Sequence, residues 1–207
     1  MTGNLDSLRP CPLENGPLGY YWFLTFDHAS KLHSRTTECQ QAIDPAYFET
    51  APIDGLHLTL DRISRPDTCT FEQRAAIAVA AQHACRNLRP FSLSVDRLTN
   101  IRGAIGFVIS PVAPVMELRD ALRAATISVL PQASLKESMS DPHVTIAYPV
   151  FEGLEEMAAG TAEAAGSAVH GFDVVTTEAA LVSAVDVCTA PGHQLLNRPA
   201  TSSLSAQ

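Results

Sequence analysis

Two tetrads of one pattern constrain this chain more than any other feature: His57-Leu58-Thr59-Leu60 and His143-Val144-Thr145-Ile146. Each reads histidine, aliphatic, threonine, aliphatic, and each lies in a short strand-like run. In a β-strand, residues i and i+2 share a face about 6–7 Å apart. Each tetrad therefore sets an imidazole beside a hydroxyl on one face and two apolar side chains on the other. With seven histidines and 32 Ser plus Thr in 207 residues, chance supplies about 0.1 such tetrads. Two of them, 86 residues apart, indicate a repeated functional unit.

The bulk composition suits a compact enzyme. A length of 207 residues and 46% hydrophobic content can build one domain, or two small lobes on a shared core. No run reaches the roughly 18 apolar residues of a membrane helix. The N-terminal stretch has neither a basic nor an apolar segment of the secretory kind, so a cytoplasmic location is expected. Cys11, Cys39, Cys69, Cys85 and Cys188 are scattered and odd in number, which fits a reducing compartment better than a disulfide framework. The formal net charge of −8 argues against a protein that coats DNA or RNA through a broad basic surface. Arginine is nonetheless dense between Arg62 and Arg102, with Arg65, Arg74, Arg86, Arg89 and Arg97 between; for any one of these a solvated surface role is the simplest reading.

Along the chain, residues 1–17 read as a loose leader and 191–207 as a polar, disordered tail, with one domain over 18–190. Tyr20–Phe26 is an aromatic run and reads as a buried strand. A short helix falls somewhere within residues 28–50. Leu56–Ile63 is the strand of the first tetrad. The pattern then predicts a helix over Thr70–Asn87 capped by Thr70, a strand at Phe91–Val95 and a partner at Ala104–Ser110 across a glycine-containing turn. A second helix spans Pro114–Val129, with proline near its start. The second tetrad's strand is His143–Tyr148, a third helix covers Leu154–Val169, and one or two strands lie within Phe172–Val187.

The two tetrads resemble the paired His-x-Thr/Ser-x motifs of the 2H phosphoesterases, the superfamily of bacterial 2′-5′ RNA ligase-like proteins and RNA cyclic phosphodiesterases. The flank Asp141-Pro142-His143-Val144-Thr145-Ile146-Ala147 is especially close to the usual form. Interspersed strands and helices alone would also suit a parallel α/β fold. The resemblance implies instead an α+β fold of two pseudo-symmetric lobes. Each would be an antiparallel sheet with helices packed outside, the pair enclosing a groove with one motif per lobe. It also implies His57 and His143 as catalytic residues and Thr59 and Thr145 as phosphate-binding residues.

The chemistry explains why such a pair is needed. Opening a 2′,3′-cyclic phosphate takes a base for the attacking water and an acid for the departing ribose oxygen, on opposite sides of the phosphorus. Histidine, with a free pKa near 6.5, serves as either. Threonine hydroxyls would bond the non-bridging oxygens and stabilise developing charge. No metal or cofactor is implied, and no His-x-His or His-x-x-x-His spacing supports zinc. The same pair run in reverse joins a 5′-hydroxyl to a cyclic phosphate.

One departure from the family stands out. Many bacterial 2′-5′ RNA ligase-like proteins carry arginine five residues after the second motif histidine; here that residue is Tyr148, while Arg62 holds the same offset in the first motif. Both are candidate substrate-binding residues, with packing or surface roles as the alternative. Strand Tyr20–Phe26 has a similar choice between a base-stacking face and core. The expected partner is a nucleotide or RNA-end substrate, with no DNA, no membrane, and a monomeric protein. Other readings are a phosphodiesterase acting on ADP-ribose cyclic phosphate or 2′-5′ oligonucleotides, or a non-catalytic nucleotide or RNA-end binding module. His28, His33, His83, His170 and His193 have no motif context.

Overall fold

The computed structural model describes residues 17–64, 69–133, 135, 141–166, 171–175 and 178–185. The chain runs β1 (Pro17–Thr25), α1 (Ser30–Gln40), β2 (Phe48–Thr50), β3 (His57–Ser64), α2 (Phe71–Ala84), β4 (Ser92–Ile101), β5 (Ala104–Ser110), α3 (Val112–Val129), β6 (His143–Pro149), α4 (Glu155–Gly166), β7 (Phe172–Val175) and β8 (Glu178–Val185). Pro17, expected in the leader, is the first residue of β1; the rest of that leader, the tail and Val169 lie outside the described residues.

Local chemistry accounts for several boundaries. Thr70 caps α2 in a reciprocal box: its hydroxyl accepts from the Gln73 amide at 3.3 Å, and the Gln73 side chain accepts from the Thr70 amide at 2.8 Å. Arg102 and Gly103 close the β4–β5 hairpin with φ of 52° and 91°, the left-handed pair a two-residue turn demands. The Asn100 side chain accepts from the Gly103 amide at 2.7 Å and fixes that turn.

The fold is α+β, with every described strand pairing antiparallel. The strand order is β7-β4-β5-β6-β3-β1-β8, with β2 pairing to β6. The two sheets expected from the resemblance are drawn into one, joined by the single residue pair Leu58↔Val144 between β3 and β6. Internal repetition is plain in this order. The run β1-α1-β3-α2-β4 recurs as β5-α3-β6-α4-β8, and the last strand of each run sits in the other's half of the sheet. Trp22, Leu24, Leu58, Leu60, Phe107, Val144 and Ile146 are buried in one continuous core. Trp22 Nε1 donates to Thr126 of α3 at 3.1 Å, which places that helix on the core face.

Each motif strand carries a β-bulge at the same place. In β3, Phe23 faces Thr59 but the next partner, Trp22, faces Asp61, so Leu60 is an extra residue. In β6, Gly106 faces Thr145 and Ile105 faces Ala147, so Ile146 is extra. Both insertions fall three residues beyond the motif histidine. A bulge reverses the face on which all later residues emerge. Arg62, at an odd offset from His57, thereby returns to the face of His57 and Thr59.

Both bulges are clamped from a helix. Arg123 of α3 grips Asp61 with Nε to Oδ2 at 2.7 Å and Nη2 to Oδ1 at 3.2 Å, while Asp61 Oδ1 also accepts from the Arg62 amide at 2.9 Å. Gln40 of α1 donates to the Ile146 carbonyl at 3.0 Å and the Ala51 carbonyl at 2.7 Å. Thr25 and Val108 pair with the two motif histidines, and Gln40 and Arg123 each follow their strand residue by the same interval, 25 to 40 and 108 to 123. The two clamps are thus equivalent positions of the repeat. Asp61 is 4% exposed, so removing it takes a two-point partner from a mostly covered guanidinium. Asp61→Ala is expected to cost about 3 kcal/mol of unfolding free energy, the lower end for breaking a buried pair; the urea midpoint measures it.

Candidate active site

The bridge between the sheet halves sets the geometry of the site. In an antiparallel pair aligned at Leu58↔Val144, His57 stands across from Thr145 and Thr59 across from His143. The four motif side chains form a quadrilateral, with each histidine diagonal to the other. Leu58, Leu60, Val144 and Ile146 fill the opposite, core-facing side, as the alternation predicts.

Each ring is anchored in the same way. His57 Nδ1 lies 2.8 Å from the Gly55 carbonyl, and His143 Nδ1 lies 2.8 Å from the Asp141 carbonyl. A carbonyl only accepts, so Nδ1 holds the proton and Nε2 is the basic nitrogen of the neutral ring. The partner is two residues upstream in both motifs, so the repeat extends to the tautomer.

The linings differ between the halves. Phe23, across from Thr59, stacks on His57 with ring centroids 4.0 Å apart and planes 25° apart. Tyr21 stacks on Phe23 at 5.6 Å, and the Arg62 guanidinium lies 5.7 Å from the Tyr21 centroid. Strand β1 buries Trp22 and Leu24 on one side; on the motif side Phe23 is also buried, beneath His57, and Tyr21 is half-buried beside it. In the second half, Gly106 takes the place of Phe23. A β-carbon there would sit 2.9 Å from the Val144 carbonyl oxygen and 3.3 Å from Thr145 Cα, so no ring fits over His143 from that position. Burial pushes the His57 pKa below its ordinary value of 6.5; the Gly55 bond opposes this, and positive charge on His143 adds to it.

Of the other sequence candidates, Arg62 joins the motif face through the bulge, and Tyr148 is half-buried across from Glu49 of β2. Arg119 was not a candidate from sequence. It lines a small cleft with Thr59, His143, Val115 and Met116, where β3 and β6 diverge over α3. Its side chain is 14% exposed and donates to Asp120 at 2.8 and 3.1 Å. One signal could have found it: Arg119 and Arg123 interrupt the apolar stripe Val115, Leu118, Leu122, Ala125. Among the described residues, no three His, Cys, Asp or Glu side chains group as a metal site. Cys39, Cys69 and Cys85 are free thiols; Cys11, Cys188, His170 and His193 lie outside the described residues.

An antiparallel α+β sheet with two facing His-x-Thr strands is the arrangement of a 2H phosphoesterase. The chain belongs to the 2′-5′ RNA ligase superfamily, whose family model matches residues 25–177. No curated protein matches the sequence. Among solved structures, the fold is similar to TT0787 of Thermus thermophilus (TM-score 0.63, 16% identity, 86% of this chain and 94% of that one). It is similar to Escherichia coli LigT complexed with NADP+ (TM-score 0.58, 15% identity, 88% and 96%). The LigT complex with 3′-AMP gives a TM-score of 0.57 at 17% identity, over 90% and 99%. Superfamily and fold make this a phosphodiesterase- or ligase-type enzyme. No helix among the described residues is long and apolar enough to cross a membrane.

The His57 environment has a measurable sign. Because the folded pKa is depressed, the unfolded chain binds this proton more readily, and His57's contribution to stability declines as pH falls from 6.5 toward the folded value. NMR titration of the imidazole protons is expected to place the His57 midpoint below 6.5. Phe23→Ala, which uncovers the ring, is expected to raise it. A wild-type midpoint at or above 6.5 contradicts the desolvation argument.

Proposed function

We propose that this protein is a phosphodiesterase that opens 2′,3′-cyclic phosphates of nucleotides or RNA ends by two-histidine acid–base catalysis, without a metal or other cofactor. The observation that carries the proposal is the diagonal placement of His57 and His143 around one residue pair. A phosphorus held inside the quadrilateral has an imidazole on each side, as in-line displacement requires, and a threonine beside each imidazole for its non-bridging oxygens.

The difference in lining supports one division of roles. His57, kept neutral by the Phe23 ring and burial, takes the proton from the attacking water at Nε2. His143, which lacks that cover, acts in its imidazolium form and gives the Nε2 proton to the departing ribose oxygen, its Nδ1–H staying on the Asp141 carbonyl. Arg119 in the cleft and Arg62 on the motif face supply positive charge for the phosphoryl oxygens, so the arginine missing at Tyr148 has replacements elsewhere around the motifs. Run backward, the same pair joins a 5′-hydroxyl to the cyclic phosphate, which accommodates 2′-5′ ligation. The ligands of E. coli LigT, NADP+ and 3′-AMP, are in keeping with a nucleotide substrate. The protein would act as a cytoplasmic monomer on small nucleotides or RNA ends and not on DNA.

Hydrolysis of the four nucleoside 2′,3′-cyclic monophosphates in EDTA tests this. His57→Ala and His143→Ala are each expected to lower kcat by about 10²–10⁴-fold. Wild-type kcat/KM is expected to lose its acid limb only below pH 6.5, because the base must be neutral and its pKa is depressed. Arg119→Leu is expected to raise KM about tenfold, as loss of one phosphate contact would. A folded wild type that binds these nucleotides and leaves them intact makes the protein a binding module. Inertness toward all four with turnover of 2′-5′ oligonucleotides or ADP-ribose cyclic phosphate relocates the activity to those phosphodiesters.

A further inference from the structure

We infer that Arg97 on β4 forms a second anion subsite, which takes the next phosphate of a nucleotide chain whose cyclic end lies between the two motifs. The inference rests on the function proposed above and names the form of its substrate: an oligonucleotide end in preference to a mononucleotide.

The register carries the argument. His143 of β6 pairs with Val108 of β5, and Val108 pairs with Arg97 of β4, so the three residues form one row across the sheet. A step between neighbouring strands is about 4.8 Å, which puts Arg97 roughly 10 Å from His143 across the sheet, the scale of one nucleotide. Arg97 shares the motif face because the register of β4 shifts between Val95 and Arg97, while Leu98 beside it is buried on the core side. The next row, Thr145, Gly106 and Thr99, has no side chain at its centre. Gly106 thus leaves a low floor beside the row of Val108, over which a chain can pass.

Charge favours this direction. Arg97 is exposed, and its neighbour Asp96 accepts instead from the Ser110 hydroxyl at 2.6 Å. Among the described residues, Arg97 is in none of the ion pairs. An anionic chain leaving the motifs is drawn across β5 to β4. A guanidinium at that exit gives a phosphate a bidentate partner in a protein of net charge −8.

The test is a ratio: kcat/KM for a dinucleotide ending in a 2′,3′-cyclic phosphate, divided by kcat/KM for the matching cyclic mononucleotide. Wild type is expected to favour the dinucleotide by about tenfold, as one added charge-assisted contact would. Arg97→Ala is expected to bring the ratio near one and Arg97→Glu below it. Arg35→Ala, on the outer face of α1, is expected to keep the wild-type ratio. A wild type with no dinucleotide preference, or a preference that survives Arg97→Ala, overturns the subsite. Failure of wild type to turn over either compound overturns the functional reading, and the subsite with it.

Discussion

One residue pair, Leu58 against Val144, holds the site together. It is the sole described register contact between the two halves of the sheet, and both side chains are buried in the common core. Because neighbours alternate in face, locking these two residues in the core forces the four residues flanking them toward the other side. Antiparallel pairing then sets a histidine against a threonine twice over. A slip of one residue would bury the imidazoles and expose the aliphatic residues, so the hydrophobic effect that fills the core also fixes the acid and base. Beyond this pair the strands part, and the gap admits Arg119 and Met116 of α3 into the cleft beside Thr59 and His143.

The frame around that pair is repeated closely while its lining is not. Bulges, helix clamps and carbonyl anchors recur in both halves at matching positions, which keeps each histidine in the same tautomer. A site with full two-fold symmetry would give both histidines one environment and accept its substrate in two orientations. Phe23 against Gly106, and Arg62 against Tyr148, remove that degeneracy. The backbone dictates part of the difference: the approach of β5 to β6 leaves no room for a β-carbon at Gly106, so an aromatic cover is available to His57 alone.

Much of the frame was legible in the sequence because period-two alternation is strong in β3 and β6 and because Thr70 and Gln73 announce the start of α2. The antiparallel order was not legible from periodicity and came from the family resemblance. β2 is three residues long, too short for any pattern, and its place is set by pairing to β6. The bulges left no mark either. Strict alternation sends Arg62, at an odd offset from His57, to the core face, and only the extra Leu60 restores it to the motif face. Arg119 was hidden by an otherwise ordinary amphipathic helix, since its meaning depends on a cleft formed by strands far away in sequence.

The buried Asp61–Arg123 pair shows why such polar contacts sit where they do. An ion pair under a sheet adds little net stability over an apolar pair of like volume. Here Asp61 also accepts the Arg62 amide freed by the bulge, so the carboxylate satisfies a backbone donor that an apolar residue would leave unpaired. Gln40 adds a second donor to the Ile146 carbonyl, which also accepts from the Ala51 amide at 2.8 Å. One clamp meets an orphaned donor and is an acceptor; the other meets an acceptor and is a donor. The equivalent helix positions therefore differ in chemistry, Arg123 acting through a carboxylate and Gln40 directly, while each holds a bulge in its strand, and in β3 that bulge turns Arg62 toward the motif face.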